Sequence, residues 1–290
     1  MHKLKFIILG PKTENTKDLA HAIKTKGHLP FIVNIKDICL QFENGIFKAL
    51  WNNKNILTFD IFLLRGYNKN IPFVQIIAQE LIRLNKTVID ETIGKKFIPS
   101  KTYEASAIIQ EKLNHPRTFQ SVNFHTWKKI LPKTSFPAIV KPIYSQKGQN
   151  IKKIINKEAY LEFFSENPQG YLLQEFIKID SDIRIFVVDN KVLGAIKRFI
   201  LPGDFRSNAS LGSRAEKIIP TKKMKDIALK ITKKMGYEIS GVDLIEHKRK
   251  LYILEVNSTP QWQKFKETTG INPAKAIVDY AIKKYSTTFN

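Results

Sequence analysis

The stretch SGVDLIEHKRKLYILEVNSTP, residues 240–260, sets two apolar segments on either side of the polar run EHKRK. Aliphatic and β-branched residues flanking a polar turn read as an antiparallel hairpin. Side chains alternate between faces along a strand, so Glu255 and Asn257 share one face. If the turn centres near Arg249, Asp243 falls opposite Glu255, with Cβ atoms about 5 Å apart. Two carboxylates and an amide oxygen then converge. Carboxylates that close repel one another unless a cation lies between them. Hard oxygen donors without His or Cys suit Mg²⁺, which leaves coordination positions open for phosphate oxygens. The plainer alternative is an acidic patch on a solvated hairpin, with Asn257-Ser258-Thr259-Pro260 as an ordinary turn.

Composition narrows the classes. A chain of 290 residues, 43% hydrophobic and 26% charged, is an ordinary globular sequence with enough length for a substantial core. No apolar run reaches the ~20 residues that span a bilayer, so no membrane partner is expected. The opening MHKLKFIILGP reads as a first β-strand and not as a secretion signal. Cys39 is the only cysteine, which excludes an intrachain disulfide and a cysteine metal cluster. A cytoplasmic protein is expected. The net charge of +22, from 48 Lys and Arg against 26 Asp and Glu, points to acidic partners or substrates. This charge is spread along the chain without a basic tail or recognition helix, which disfavours sequence-specific nucleic-acid binding.

Residues 1–92 alternate strand and helix patterns (KFIILG, TKDLAHAIKTKG, PFIVNI, DIFLLRG, PFVQIIAQELIRLN, KTVID), with a small hairpin at IFKALWNNKNIL. That alternation predicts a parallel βαβ sheet. It carries neither the GK[ST] of a P-loop nor a GxGxxG, so this part scaffolds or binds substrate. Residues 93–173 open with the helix SKTYEASAIIQEKLN and contain the strand FPAIVKPI, the loop YSQKGQN and the helix KEAYLEFF. From 174 to 290 the pattern turns mostly antiparallel, with the hairpin DIRIFVVDNKVLGAIKRF, the helix TKKMKDIALKITKKMG and the closing helix NPAKAIVDYAIKKY. The fold class is therefore α/β, becoming α+β toward the C-terminus.

Lys141 lies in the apolar strand AIVKP, where an ammonium is costly unless it meets an anion. A lysine snorkelling from an edge strand is the alternative. Lys101 opens the preceding helix, and the loop Ser145-Gln146-Lys147-Gly148-Gln149 offers backbone N–H groups to phosphate. The chain has eight arginines, and Arg184, Arg198, Arg206 and Arg214 fall within 31 consecutive positions of a lysine-preferring sequence. A guanidinium fork recognises carboxylate or phosphate with two parallel hydrogen bonds, as lysine cannot. No Ser-His-Asp or Cys-His arrangement is evident.

Together these segments resemble the ATP-grasp ligases, and within them the RimK-type branch that joins glutamate or related amino acids to a carboxylate. AIVKPI, LLQEFI, SDIRIFVV, GDFRSN, GVDLIE, LEVNSTP and ETTGI occur in that family's order and spacing. The resemblance implies an N-terminal domain at 1–92 and two lobes, 93–173 and 174–290, clasping ATP. It places Lys101 and Lys141 on the nucleotide phosphates together with Ser145, Gln146 and Gly148. Glu175, Phe176 and Ile177 would line the adenine pocket, with Asp182 near the ribose. Arg206, Ser207 and Asn208 would face the phosphates and the reacting carboxylate, Arg198 and Arg206 would recognise anions at the substrate end, and Lys141 would assist catalysis. Asp243, Glu255 and Asn257 would hold two Mg²⁺ or Mn²⁺ ions. The implied reaction is ADP-forming amide synthesis through an acyl phosphate, adding glutamate to an acidic acceptor, either a polypeptide or a small carboxylate. A same-fold ligase for a small metabolite and a non-catalytic nucleic-acid or ribosome binder are the alternatives. A homo-oligomer is left open.

Overall fold

The computed structural model describes residues 3–66, 70–95, 100–144, 150–201 and 214–289. Of the expected site, Ser145, Gln146, Gly148, Arg206, Ser207 and Asn208 lie outside the described residues. The first apolar run is β1 (Lys5–Leu9), followed by α1 (Glu14–Thr25), which Thr13 caps by accepting from the Thr16 amide. Next come β2 (Leu29–Val33) and a meander of β3 (Cys39–Glu43), β4 (Ile46–Trp51) and β5 (Lys54–Asn55). The expected hairpin thus gains β3 as a third strand. The unit closes with β6 (Ile61–Leu64), α2 (Ile71–Arg83), β7 (Thr87–Ile89) and α3 (Thr92–Lys95). The sheet order β2-β1-β6-β7 is parallel throughout. Crossover helices cover such a sheet on both faces, and Phe6, Ile7, Ile8 and Leu9 are accordingly all fully buried.

After α4 (Lys101–Gln110), capped by Ser100, the chain builds a second, four-stranded sheet. It comprises β8 (Thr118–Gln120), α5 (Phe124–Ile130), β9 (Ala138–Pro142), β10 (Lys152–Ile154), α6 (Lys157–Glu166) and β11 (Tyr171–Glu175), in the order β10-β9-β11-β8. The strands β8 and β10 have only three residues each, too few for a sequence pattern to declare them. One face packs Val140, Ile154 and Leu173 against Trp127, Tyr160 and Phe164. The opposite face carries Ile139, Lys141, Leu172 and Gln174, and it looks into the cleft.

The third sheet is antiparallel. Its strands are β12 (Ser181–Val188), β13 (Lys191–Phe199), β14 (Ala215–Ile218), then, after α7 (Lys222–Met235), β15 (Ile239–His247) and β16 (Lys250–Asn257). Their order is β14-β13-β12-β15-β16. The helix α7 starts at the Thr221 cap and stops at Gly236, whose φ of 72° is the left-handed conformation that ends helices at little cost to glycine. Its buried residues Met224, Ala228, Ile231 and Met235 form one stripe that packs on Ile185, Val187, Val242 and Val256, and Ala107 and Ile108 of α4 join the same cluster. The chain ends with α8 (Gln263–Thr269) and α9 (Pro273–Phe289). Phe186, Ile196 and Ile239, on the other face of the third sheet, share a core with Phe6, Leu19, Trp262 and Ile277 and so join that sheet to the first. Among the described residues no helix is long and apolar enough to cross a membrane.

Candidate active site

The second and third sheets face each other across an open cleft. The β15–β16 hairpin turns at Lys248 and Arg249, both with positive φ (49° and 60°), as the primed two-residue turn requires. From that turn the strands pair in step as far as Leu244 opposite Ile253; there the register slips by one, Leu254 is left unpaired, and Asp243 comes to stand directly opposite Glu255. Ile245 and Leu254 both line the cleft. Asn257 follows on the Glu255 face but lies opposite Gly241, and its Nδ2 donates to Gly241 O at 3.5 Å. Asn257 is not part of the cleft lining.

A row of charge runs across the third sheet on this face. Arg184 of β12 stands opposite Asp243 of β15 and donates to it twice, Nε to Oδ1 at 2.7 Å and Nη2 to Oδ2 at 2.6 Å. Arg198 of β13 stands opposite Asp182, grips both its oxygens, and reaches Asp243 Oδ2 at 3.0 Å. Burial alone would raise Asp243, yet Arg184 and Arg198 outweigh it and hold the carboxyl below the usual carboxylate range. Burial works against Arg198 as well, and Asp243 and Asp182 reverse it upward. Arg198, expected to recognise an anion at the substrate end, is buried and occupied with these two carboxylates. Asp182, expected beside a ribose, is its bidentate partner.

Two lysines close the row. Lys101 Nζ lies 3.2 Å from Glu255 Oε1. Burial would lower it, but Glu255 and Glu104 overcome burial and raise it. Lys141 Nζ donates to Gln174 Oε1 at 2.7 Å, and enclosure in the cleft lowers it from 10.5 to about 8. Glu104, on the same face of α4 as Lys101, is buried and accepts the Val256 amide at 2.7 Å. Burial first, and Glu255 second, push its carboxyl well above the usual range.

The wall beside this charged end is apolar. Ile139, Ile151 and Leu172 line one side, Ile245 and Leu254 the other, and the linker Glu175-Phe176-Ile177 spans the back. Lys153 sits 4.4 Å from the Phe176 ring centroid. Of the described residues assigned from sequence, Lys101, Lys141, Glu175, Phe176, Ile177, Asp182, Arg198, Asp243 and Glu255 come together here. Sequence reading missed Glu104, His115 and Gln174. Glu104 had a signal, three positions after Lys101 in a helix, and Gln174 had one as an amide inside an apolar strand. His115, before Pro116, had none.

A divalent cation fits this donor set. Asp243 and Glu255 present hard oxygens side by side, with no sulfur or imidazole ligand among them. A carboxylate has about four lone-pair sites, so the three guanidinium contacts to Asp243 do not exhaust it. Among the described residues no three His, Cys, Asp or Glu side chains converge, so a cation here would complete its shell from Asn257, phosphate or water.

A family model for the RimK-like ATP-grasp domain matches residues 99–281, well over half of the chain. A probable alpha-L-glutamate ligase of Haemophilus influenzae (strain PittEE) is 33% identical over 170 residues, which is 57% of this chain and 57% of that protein. The chain thus spans little more than half the length of that relative. Probable alpha-L-glutamate ligase 1 of Shewanella oneidensis is 27% identical over 284 residues, covering 94% of this chain and 93% of its own. The ATP-grasp ligase PsnB, complexed with a minimal precursor, matches with a TM-score of 0.75 at 16% identity, covering 98% of this chain and 100% of that one. The macrocyclase MdnC of Microcystis aeruginosa MRC, bound to precursor peptide MdnA, matches at 0.74 and 14%, covering 97% and 100%. By the match over residues 99–281, the chain belongs to the RimK-like ATP-grasp domain family, and it shares its fold along nearly its whole length with the two solved structures.

Proposed function

We propose that the chain is an ADP-forming carboxylate–amine ligase that adds glutamate, or a related amino acid, to a carboxylate of an acidic polypeptide acceptor. One observation carries the reading. A single cleft has an apolar wall at one end and, at the other, two lysines beside two carboxylates in direct register. That division matches ATP, whose base is flat and apolar and whose phosphates are densely charged.

On this reading the adenine lies against Phe176, Ile177 and Leu172, and the linker backbone at Glu175–Ile177 reads its edge. Lys101 and Lys141 hold the phosphates. Asp243 and Glu255, with Asn257, hold Mg²⁺, which when bound neutralises charge on the phosphate oxygens. Arg184 and Arg198 keep Asp243 ionised and fixed in place. The acceptor carboxylate attacks the γ-phosphorus, the bond to the β-phosphate oxygen breaks, and ADP leaves an acyl phosphate. The amino acid's amine then attacks the acyl carbon, phosphate departs, and the amine loses a proton. Positioning and charge neutralisation are the protein's contribution to both steps. Arg206, Ser207 and Asn208 are assigned to the reacting carboxylate from sequence alone.

The names of the Haemophilus and Shewanella relatives support glutamate, and the precursor peptides bound to PsnB and MdnC support a polypeptide acceptor. The +22 charge favours an acidic one. The test is nucleotide release with glutamate and candidate acceptors, resolved by chromatography. Glutamate-dependent ADP is the expected product. AMP with pyrophosphate would rule out acyl-phosphate chemistry.

A further inference from the structure

Lys141 does not place its ammonium unaided. Its acceptor, Gln174 Oε1, belongs to an amide that is itself held at the nitrogen end. Gln174 Nε2 donates to Thr118 Oγ1 at 3.1 Å and meets His115 Nε2 at 3.1 Å. Thr118 stands directly opposite Gln174 across the β8–β11 pair, so that contact follows from strand register. The His115 contact comes from the segment just before β8, which is anchored on the third sheet. His115 Nδ1 lies 2.9 Å from Ile253 O, on β16.

The hydrogen-bond chemistry of this chain has one solution. A carbonyl oxygen only accepts, so His115 Nδ1 carries the hydrogen and Nε2 presents a lone pair. A lone pair accepts from the NH₂ of an amide and repels its oxygen. Gln174 must therefore turn its nitrogen to His115 and its oxygen to Lys141. Burial lowers His115 to about 4, which keeps the imidazole neutral and its lone pair available at ordinary pH.

We propose that His115 and Gln174 are positioning residues for Lys141: the imidazole sets the amide, and the amide sets the ammonium that meets nucleotide phosphate. The inference rests on the phosphate role of Lys141 given above. It adds a connection between the two walls of the cleft, because Ile253 lies on β16 two residues before Glu255. Asn114 strengthens the junction, its Nδ2 donating to Leu251 O and its carbonyl accepting the Ile253 amide, each at 2.9 Å. The two groups that would act on phosphate, Lys141 on β9 and Glu255 on β16, are thus tied through three hydrogen bonds and one strand. A glutamine that merely filled space in β11 would be served as well by leucine, without the cost of burying an amide.

The experiment is a double-mutant cycle read as ADP affinity by titration calorimetry with Mg²⁺, alongside thermal unfolding of each variant. The variants are Gln174→Leu, Lys141→Met and the double substitution, with His115→Phe as an independent second route to the same amide. A hydrogen bond to a charged group corresponds to about 10- to about 100-fold in affinity. Lys141→Met should weaken ADP binding within that range. Gln174→Leu should weaken it about 10-fold, and His115→Phe several-fold. The double variant should bind about as Lys141→Met does, since the amide acts only through the lysine. Losses that multiply in the double variant would overturn the positioning role and leave the phosphate role of Lys141 intact. Unchanged affinity in Lys141→Met would overturn both.

Discussion

Asp243→Asn and Glu255→Gln should separate stability from turnover, although the two carboxylates face each other across one hairpin. The Asp243 side chain is 6% exposed and takes three contacts of 2.6 to 3.0 Å from Arg184 and Arg198. Without its charge, Arg198 retains Asp182, but Arg184 retains no carboxylate partner among the described residues. Breaking a buried pair from one side costs about 3–5 kcal/mol. The amide oxygen of Asn still accepts one bond, which favours the lower end, about 3 kcal/mol. At ~2–4 °C per kcal/mol for a chain longer than about 150 residues, melting should fall by roughly 6–12 °C. Glu255 is 35% exposed and, among the described residues, its one ion pair is with Lys101 at 3.2 Å, so solvent screening reduces its share to ~0–1 kcal/mol. Its melting point should move by at most about 4 °C. Turnover should drop ~100- to ~1,000-fold in both variants, the usual loss for one electrostatic contact in an active site. Circular-dichroism melts and coupled ADP release make the measurement. Wild-type melting of Asp243→Asn would refute the charge row as a stabilising element. Wild-type turnover of Glu255→Gln would refute the assignment of this face to metal and phosphate.

Mg-ATP affinity should fall as pH rises through about 8. The Lys141 ammonium is lowered from 10.5 to about 8, so the charged form is complete below that pH and lost above it. Calorimetric titrations between about pH 7 and about pH 9.5 test this, and a flat profile would remove Lys141 from the phosphates. Gly241→Ala should slow turnover at a cost of ~1–3 kcal/mol in stability, because the new Cβ would lie 2.9 Å from Pro260 Cβ and displace the loop after Asn257. Equal melting and rate would mean that the loop yields freely. KM for the acceptor should rise between about 50 and about 300 mM salt more steeply than KM for ATP, as a field from +22 charges acting on an acidic macromolecule is screened. Parallel dependences would favour a small metabolite as acceptor.

The hairpin itself was legible from its polar turn, but the meeting of Asp243 with Glu255 was only half so: a turn at Lys248 and Arg249 alone would pair Asp243 with Leu254, and the one-residue slip at Asp243/Leu244 supplies the rest. The parallel N-terminal sheet was legible, since apolar runs alternating with amphipathic ones admit few other arrangements. The Asp189-Asn190 turn alone would pair Asp182 with Lys197, and a one-residue slip at Phe186/Val187 brings Arg198 there instead; both residues were assigned ligand roles in which they did not meet. What sequence did not declare is that β12 lies beside β15. The Arg184–Asp243 contact joins positions 59 apart, across a helix and two other strands, and no local pattern encodes that adjacency. Read as a metal ligand alone, Asp243 would be replaceable without harm to the fold. His115 and Gln174 are hidden for the same reason, since each has meaning only when residues 59 apart come together.

The second sheet is also a self-contained parcel of chain. Residues 118–175 leave the body after His115–Arg117 and return through Glu175, whose amide donates to Arg117 O at 2.9 Å. Entry and exit are therefore one hydrogen bond apart. A gap that small can be closed by a turn of two residues, so this portion of the gene could be deleted or exchanged for another of equal span without stretching the remainder. Such an exchange would replace Lys141 and Gln174 together with their surroundings, while Lys101, Asp243 and Glu255 stayed behind. Inheritance can thus treat the two halves of the nucleotide cleft as separate parts, and a graft that restored ATP binding would have to match the lone pair of His115 at the join.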